Sequence, residues 1–382
     1  MVLLIIALSL AILYLALLCQ YIYFWWKIPD YGTPQASLTP VSIIVVTHNE
    51  AGNVERCIRG ILSQHYPSHL YEVIVVDDHS TDDTVHRIQS ISDTRLRVLE
   101  LNAFPDAIHP PAYKKSAITL GVNHAKHELI LLTDADCMHP ANWLRTMVHH
   151  FEKSGSVFLA APVIWLPGTS MLERLQETEM LTLMLITGSG IQSRLHLMAN
   201  GANMAFSKKA FIQVEGYAGN LHHASGDDMF LIEKMNSSFP KQISFVKSRD
   251  AAVLTSGASG WDALLKQRIR WAGKNKGLKS PLIRIIWSFV GLYHIILLLT
   301  FLSALFTFIV WWPFLVLLSF KWIADYFLLQ QAAFFFRKES VLRRFIPLQF
   351  FYTWYVLRMG WAMASGVEGD WRKADSERVS GE

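Results

Sequence analysis

The stretch ILLTDADCMHP, residues 130–140, decides the fold because it carries an apolar run directly into two aspartates, Asp134 and Asp136. A short apolar run bounded by polar residues is typical of a buried strand. Two carboxylates one residue apart at a strand end can reach one divalent cation together, but aspartates in turns and helix caps are the commoner explanation of such a pair taken alone. The rest of the sequence has to decide between these two interpretations.

Similar apolar runs recur on both sides of this stretch and alternate with helical patterns. The segments between the runs have apolar residues three or four positions apart, as in an amphipathic helix. The predicted strands lie at 41–47, 72–78, 96–101, 128–136 and 157–164. Alternation of near-continuous apolar strands with helices predicts an α/β domain, in which a mostly parallel sheet is covered by helices on both faces.

Polar residues collect where these strands end. Residues 47–50 (THNE) follow the first strand, Asp77 and Asp78 end the second, and Asp134 and Asp136 end the fourth. In open parallel sheets, ligands bind beyond the carboxyl ends of the strands. We therefore expect ligand contacts at this edge, with Mg²⁺ or Mn²⁺, which prefer hard oxygen ligands, at the paired aspartates.

Long apolar segments towards both ends of the chain predict membrane helices. Residues 1–26 carry no charge and are long enough to cross a bilayer. They lack the small-residue cleavage site of a signal peptide, so we expect an uncleaved anchor. Residues 282–336 are predicted to form two crossing helices, at about 285–308 and 311–334, and residues 345–367 a helix that crosses the membrane or lies in its interface.

Basic residues beside these segments predict the orientation. Lys27, the basic region 274–284 and RKESVLRR at 337–344 belong on the cytoplasmic side by the positive-inside rule. This places the N-terminus outside and leaves the side of the tail open. The predicted organisation is an anchor at 1–26, a linker at 27–40, a cytoplasmic α/β domain at 41–280, C-terminal transmembrane or interfacial helices at 281–367 and a polar tail at 368–382.

Composition excludes several classes of protein. The three cysteines lie far apart, which excludes a disulfide framework and a cysteine-rich zinc site and fits a reducing compartment. The formal net charge of +4 is small and comes mostly from residues beside the membrane segments, so it argues against nucleic acid as a partner. His222 and His223 resemble part of a metal cluster, but solvated loop histidines are the commoner explanation.

Seven motifs occur in order along the chain. They are THNE (47–50), VVDDHS (75–80), KKSAITLGV (114–122), TDADC (133–137), GANMAFSKKAF (201–211), SGDDMF (225–230) and QRIRW (267–271). Together they resemble the inverting family 2 glycosyltransferases, in their membrane-bound, polysaccharide-synthase-like branch. The resemblance covers about residues 41–275 and implies a GT-A-like fold with its catalytic domain on the cytoplasmic face of a bacterial plasma membrane.

The resemblance assigns roles on the donor side of the site. Glu50 and Asp78 match the acids that hold the base and ribose of a nucleotide, and Lys114 matches a lysine near the diphosphate. Tyr113 stands where the family has glycine, and Lys115 is a second candidate for the lysine role.

The resemblance also assigns the metal and the base. Asp134 and Asp136 match a pair that binds Mg²⁺ or Mn²⁺, with Asp136 as the direct ligand. Asp227 and Asp228 stand where many members have Glu-Asp, and Asp228 matches the base that takes the proton from an acceptor hydroxyl. Capping of a helix is the structural alternative for Asp228.

The QRIRW segment is expected to form a helix on which Gln267, Arg270 and Trp271 share a face. Arg270 can then compensate the charge of a leaving diphosphate, and Trp271 can stack on a sugar. Arg268 and the nearby lysines are expected to belong to the basic face of a helix that lies on the membrane.

The expected function is metal-dependent, inverting transfer of a sugar from a nucleotide-diphosphate donor, UDP-linked on the resemblance, to a growing glycan or a lipid. One alternative is single transfer to an isoprenoid-phosphate or another lipid. A non-enzymatic alternative is a sugar-nucleotide-binding assembly partner. A nucleotidyltransferase is disfavoured because it would carry a glycine- and arginine-rich phosphate loop. The sequence does not identify partner subunits.

Overall fold

The computed structural model describes residues 2–34, 37–273, 281–307 and 311–364. They form two compact units. The helical unit is built from segments within Met1–Ile28, Pro167–His196 and Gly257–Gly369, and the sheet unit from segments within Pro29–Leu166 and Leu197–Ser256. The predicted basic residues Lys274, Lys276 and Lys279 and the predicted tail at 368–382 lie outside the described residues.

The secondary structure follows the predicted alternation. The strands are β1 (Val41–Thr47), β2 (Tyr71–Asp77), β3 (Leu96–Glu100), β4 (Leu129–Asp134), β5 (Phe158–Ala160), β6 (Val163–Trp165), β7 (Met204–Ser207), β8 (Ile243–Phe245) and β9 (Val253–Thr255). The helices are α1 (Val2–Lys27), α2 (Val54–Leu62), α3 (Thr84–Gln89), α4 (Tyr113–His124), α5 (Trp143–Ser154), α6 (Met171–Ser193), α7 (Lys208–Gln213), α8 (Asp227–Ser238), α9 (Trp261–Gly273), α10 (Pro281–Ala304), α11 (Trp311–Phe336) and α12 (Phe345–Ala364).

The main sheet has seven strands in the order β3-β2-β1-β4-β7-β5-β8. Strand β1 pairs in parallel with β2 and β4, whereas β7 runs antiparallel to β4 and β5. Every residue of β1 and β2 is buried, which explains why these strands read as continuous apolar runs. The prediction of a mostly parallel α/β sheet flanked by apolar helices is confirmed.

The register brings the carboxyl ends of the central strands together. Thr47, the last residue of β1, pairs with Asp77, and Val46 pairs with Asp134. The acids that end β2 and β4 therefore lie on either side of the end of β1, at one edge of the sheet.

One of the predicted strands is divided into two strands in the structure. The run 157–164 divides into β5 and β6, and β6 leaves the main sheet to pair with β9 in a separate two-stranded sheet. Pro162 lies between them and has no N–H to donate to a ladder. Its carbonyl instead accepts from the side-chain amide of Asn203, which also donates to the carbonyl of Ala251, at 2.7 Å in each case.

Helix α4 approaches the sheet closely because it carries a glycine where it crosses β1. A Cβ on Gly121 would lie 2.9 Å from Cγ2 of Ile44 and 3.3 Å from Cγ2 of Val76. This close packing fixes the position of α4, whose first turn carries Lys114 and Lys115.

The helical unit contains three described helices that are long and apolar enough to cross a membrane, namely α1, α10 and α11. Their length and composition indicate association with a membrane. The predicted two-helix division of the region 282–336 matches α10 and α11. Helix α12 occupies the third apolar stretch, which stays a prediction as a crossing or interfacial helix.

A polar cluster is buried among these apolar helices. Lys321 of α11 has no exposed surface, donates to Asp325 on the same helix at 2.6 Å, and also donates to Gln349 of α12. The hydroxyl of Tyr14 in α1 donates to the other oxygen of Asp325 at 2.7 Å. The cluster joins three helices through one lysine–carboxylate pair.

Candidate active site

A lysine and two acids meet at the carboxyl edge of the sheet. The ammonium of Lys114 lies 2.7 Å from Oδ1 of Asp134 and 3.7 Å from Oδ2 of Asp227. Asp134 is the last residue of β4, Lys114 is in the first turn of α4, and Asp227 begins α8. The fold thus brings together three side chains that the sequence places in separate motifs.

The charges of this cluster depend on one another. Burial by itself lowers the pKa of the Lys114 ammonium, but the carboxylates of Asp134 and Asp227 outweigh it and hold that pKa above its usual value. Burial raises the pKa of the Asp134 carboxyl, Lys114 opposes this, and the nearby Asp136 raises the pKa further. The site contains more negative than positive charge, so it suits an additional cation.

Asp136 is held by a hydrogen bond from a strand outside the main sheet. The hydroxyl of Thr255 in β9 donates to its Oδ2 at 2.8 Å. Ala135 between the two aspartates is buried, and the thiol of Cys57 lies 3.6 Å from the carbonyl oxygen of Asp134. Burial raises the pKa of the Cys57 thiol, which favours its neutral form.

The residues present fit Mg²⁺ or Mn²⁺. Asp134 and Asp136 supply hard carboxylate oxygens, and such ions commonly take only one or two protein carboxylates, with water and phosphate oxygens as the other ligands. Within the described part of the chain, no group of three or more histidine, cysteine, aspartate or glutamate side chains is arranged to hold a metal ion alone. The rings of His222 and His223 lie 4.1 Å apart and belong to no such group.

Asp78 lies at the end of β2 with one oxygen available. Its side chain is 1% exposed. Oδ1 lies 2.8 Å from Nδ1 of His79, whereas the buried Oδ2 has no hydrogen-bond partner among the described residues. Because an unsatisfied buried polar atom costs about 1–3 kcal/mol, this oxygen is well suited to accept a hydrogen bond from a ligand.

The turns after β1 and β2 are strained and bonded to each other. Asn49 and His79 both have positive φ, at 53° and 61°, although neither is glycine. The amide of Asn49 donates to the hydroxyl of Ser80 at 2.9 Å, and the amide of Thr81 donates to Oδ1 of Asn49 at 2.8 Å. Glu50 follows directly and accepts from the side chain of Asn53 at 2.9 Å. Strained residues of this kind cluster at ligand sites.

Asp227 and Asp228 are both buried at the start of α8. The preceding Gly226 has φ +89°, and a Cβ there would lie 2.8 Å from the ring of Phe230. Oδ1 of Asp228 accepts from the backbone amide of Met229 at 2.8 Å, so part of this side chain stabilises the helix terminus. A Cβ on Gly201 would lie 2.7 Å from Oδ2 of Asp227, which makes Gly201 a neighbour of the site that the sequence indicated only through its motif.

The two adjacent lysines of α4 bind different partners. Lys114 reaches Asp134, whereas the ammonium of Lys115 donates to the backbone carbonyls of Asn220 at 2.8 Å and His223 at 2.6 Å. Lys115, the second candidate for contact with a diphosphate, is therefore directed into the loop before α8.

Gln267, Arg270 and Trp271 lie on α9, in the helical unit. The expectation that Arg268 belongs to an outward basic face is wrong, because Arg268 is 3% exposed. Its guanidinium donates to Glu179 of α6 at 2.6 Å and lies 4.3 Å from the ring centroid of Trp271. The ion pair and the stacking offset the cost of desolvating this arginine. The many basic residues of the segment gave no sign that Arg268 is buried.

The chain matches two family models. Residues 42–214 match the family described as "Glycosyl transferase family 2", and residues 129–362 match "Glycosyl transferase family group 2". The poly-beta-1,6-N-acetyl-D-glucosamine synthase of Staphylococcus epidermidis is 23% identical over 65% of this chain and 57% of its own length. The beta-monoglucosyldiacylglycerol synthase of Nostoc sp. is 31% identical over 32% of this chain and 26% of its own length. The chain thus spans less than two thirds of the curated relatives it matches.

A solved structure shares the fold. The mannosyltransferase PcManGT of Pyrobaculum calidifontis, solved in complex with GDP-Man and Mn²⁺, aligns over 93% of this chain and 98% of its own, with a TM-score of 0.53 and 17% identity. At this identity the likeness establishes the fold alone. The expected GT-A-like architecture with apolar terminal helices is confirmed.

Proposed function

Because the chain belongs to glycosyltransferase family 2, we propose that it transfers a sugar, with inversion, from a nucleotide-diphosphate donor to an acceptor at a membrane. The observation that carries this proposal is the cluster of Lys114, Asp134 and Asp227 at the carboxyl edge of the sheet, with Asp136 beside it. It combines carboxylates that can hold a cation with a positive charge that can pair with phosphate oxygens.

The donor would bind across the ends of β1, β2 and β4. Asp78 would accept a hydrogen bond from the ribose or base through its buried Oδ2, and Glu50 would contact the same part of the nucleotide. The diphosphate would lie near Asp134 and Asp136, with Asp136 as the direct ligand of Mg²⁺ or Mn²⁺. When bound, the ion would neutralise the charge that develops on the leaving diphosphate. A UDP-linked donor is the form that the family resemblance favours.

Asp228 would act as the base. Inversion requires a carboxylate that takes the proton from an acceptor hydroxyl while the nucleoside diphosphate leaves from the other face of the sugar. The amide of Met229 donates to Oδ1 of Asp228, which orients this carboxylate for the proposed role. Asp227, 3.7 Å from Lys114, would keep that lysine at the site.

On the family resemblance, Gln267, Arg270 and Trp271 would contact the donor and the acceptor. Arg270 offers a planar set of donors for phosphate oxygens, and Trp271 offers a face for a sugar. The pair of Glu179 and Arg268 would hold this part of α9 against α6, since the pair is mostly buried and Arg268 also packs on Trp271.

Two acceptors are compatible with this site. A growing glycan fits the likeness to a poly-beta-1,6-N-acetyl-D-glucosamine synthase, and a lipid fits the likeness to a beta-monoglucosyldiacylglycerol synthase. An isoprenoid-phosphate or another lipid would receive a single sugar. We place the protein in a bacterial plasma membrane, with the sheet unit in the cytoplasm, because basic residues flank the apolar helices on that side.

The test is release of nucleoside diphosphate by detergent-purified protein. A panel of UDP- and GDP-sugars is supplied with Mg²⁺, with Mn²⁺ or with a chelator, together with a lipid extract, and the products are sized. We expect release from one donor, dependent on the added metal. A polymer would assign glycan synthesis, and a lipid carrying one sugar would assign single transfer. No release from any donor would contradict the proposal and favour a sugar-nucleotide-binding assembly partner.

A further inference from the structure

The ammonium of Lys115 is a second cation next to the site, and the mechanism above does not use it. Lys115 has no exposed surface. A buried ammonium loses its hydration and persists in charged form only where partners replace the lost water. Here the carbonyls of Asn220 and His223 do so, at 2.8 and 2.6 Å. The lysine therefore holds one end of the loop that leads into Asp227 and Asp228.

The same loop end packs on Phe230, in the first turns of α8. The ammonium of Lys115 lies 4.8 Å from the centroid of this ring, and the ring of His223 stacks on it at 5.0 Å. Gly226 leaves room for the ring, because a Cβ there would lie 2.8 Å from it. Phe230 thus fixes the loop end relative to α8, and Lys115 fixes it relative to α4.

The other end of the loop is held by a lysine of α8. Lys234 donates to the carbonyl of Gly216 at 2.7 Å and to that of Ala218 at 3.1 Å. Along residues 215–226, four residues have positive φ, namely Glu215, Gly216, Gly219 and Gly226. The lysine–carbonyl bonds add to the local backbone bonds of this loop and tie it to α4 and to α8.

We propose that Lys115 is a positioning residue: it holds residues 220–226 against α4 so that Asp228 faces the acceptor while the adjacent Lys114 serves the diphosphate. The inference rests on the proposed function for the role of Asp228. The attachment of the loop is independent of that role. One helical turn of α4 would then set the distance between the donor side and the acceptor side of the reaction.

The first variant is Lys115→Met, which keeps the aliphatic stem and removes the ammonium. We expect kcat for transfer to fall about 10- to 100-fold with the KM for donor nearly unchanged, since a misplacement of about 1 Å can reduce the rate 10²-fold. The control is Lys208→Met, which removes a lysine bond to the carbonyl of Ala125 (2.7 Å) at the far end of α4. It should leave kcat unchanged.

A second readout does not depend on turnover. Amide hydrogen exchange of the purified protein should become faster in residues 217–226 of Lys115→Met, where the amides of Ala218, Asn220 and His223 form local bonds, while β1 and β4 stay protected. Lys208→Met should leave this loop unchanged. If Lys115→Met does not fold, Lys115→Gln, which keeps one donor, takes its place and should give a smaller change in the same direction.

Unchanged exchange in the loop would overturn the attachment, and faster exchange with a wild-type kcat would overturn the positioning role. If wild-type protein releases no nucleoside diphosphate, the proposed function fails, and the exchange experiment still decides whether Lys115 holds the loop.

Discussion

At the scale of the residue, Lys114 supplies positive charge where the proposed metal would bind. Its ammonium contacts Asp134 at 2.7 Å and lies near Asp227, so it competes with any cation for these carboxylates. A donor diphosphate would draw the lysine away and leave Asp134 for the ion. Binding of nucleotide and metal would therefore be mutually reinforcing.

We expect Lys114→Met to bind Mn²⁺ more tightly than wild type when nucleotide is absent, on the order of tenfold, because the competing charge is gone. Transfer should fall, since the diphosphate loses a partner. Mn²⁺ binding measured by electron paramagnetic resonance checks the first result. Lys126→Met, which removes a lysine 3.6 Å from Glu72, is the control and should not change Mn²⁺ binding. Weaker Mn²⁺ binding by Lys114→Met without nucleotide would contradict this competition.

Variants of Asp228 and Asp136 should differ in their effects on donor binding and on transfer. Asp228→Asn should bind the donor nucleotide with near wild-type affinity and lose transfer by about 10²- to 10⁴-fold, the usual contribution of a general base. Asp136→Ala should lose the metal-dependent part of both donor binding and transfer. Calorimetry with the nucleotide, with and without Mn²⁺, distinguishes the two. Wild-type rates in either variant would exclude the corresponding role.

At the scale of the element, the central strands of the sheet were predictable from the sequence. The rotation of the helices and the pairing of β6 were not. Continuous apolar runs identify β1, β2 and β4 because these strands are buried on both faces, and acids end β2 and β4. Sequence does not fix how a helix is rotated about its axis, so Lys115 stayed a second candidate beside Lys114 until the packing of α4 separated them. For the same reason the burial of Arg268 was missed, and Pro162 alone did not show that β6 joins another sheet.

The close approach of α4 to β1 gives an element-scale prediction. Gly121→Ala should destabilise the protein, because overpacking against Ile44 and Val76 costs about 1–3 kcal/mol whereas the gain in helix propensity is only about 1 kcal/mol. Gly60→Ala in α2 is the matched control, since a Cβ there meets no atom within 4 Å. It should stabilise the protein. Thermal unfolding of both variants gives the signs, and equal shifts would contradict the packing argument.

At the scale of the whole molecule, the helical unit contains the charged pair of Lys321 and Asp325 among apolar helices. Charged residues in membrane segments are costly and persist when paired. Removing one partner leaves the other charge buried without compensation, which costs more than removing both.

We expect Lys321→Met to destabilise the helical unit by about 3–5 kcal/mol, and the double variant Lys321→Met/Asp325→Leu to recover much of this loss. The unfolding temperature in detergent measures both. Equal destabilisation by the single and double variants would show that packing, and not the unpaired charge, dominates at this position.

The bond between Tyr14 and Asp325 can form only late in the synthesis of the chain. These residues are 311 positions apart. At about 5–20 residues per second, α1 leaves the ribosome roughly 15–60 s before α11 is complete. During that interval the tyrosine hydroxyl lacks its carboxylate, and the face of α1 that will pack on α11 is uncovered. During synthesis there is therefore a long stage in which only lipid or the insertion machinery can cover the apolar face of the first helix.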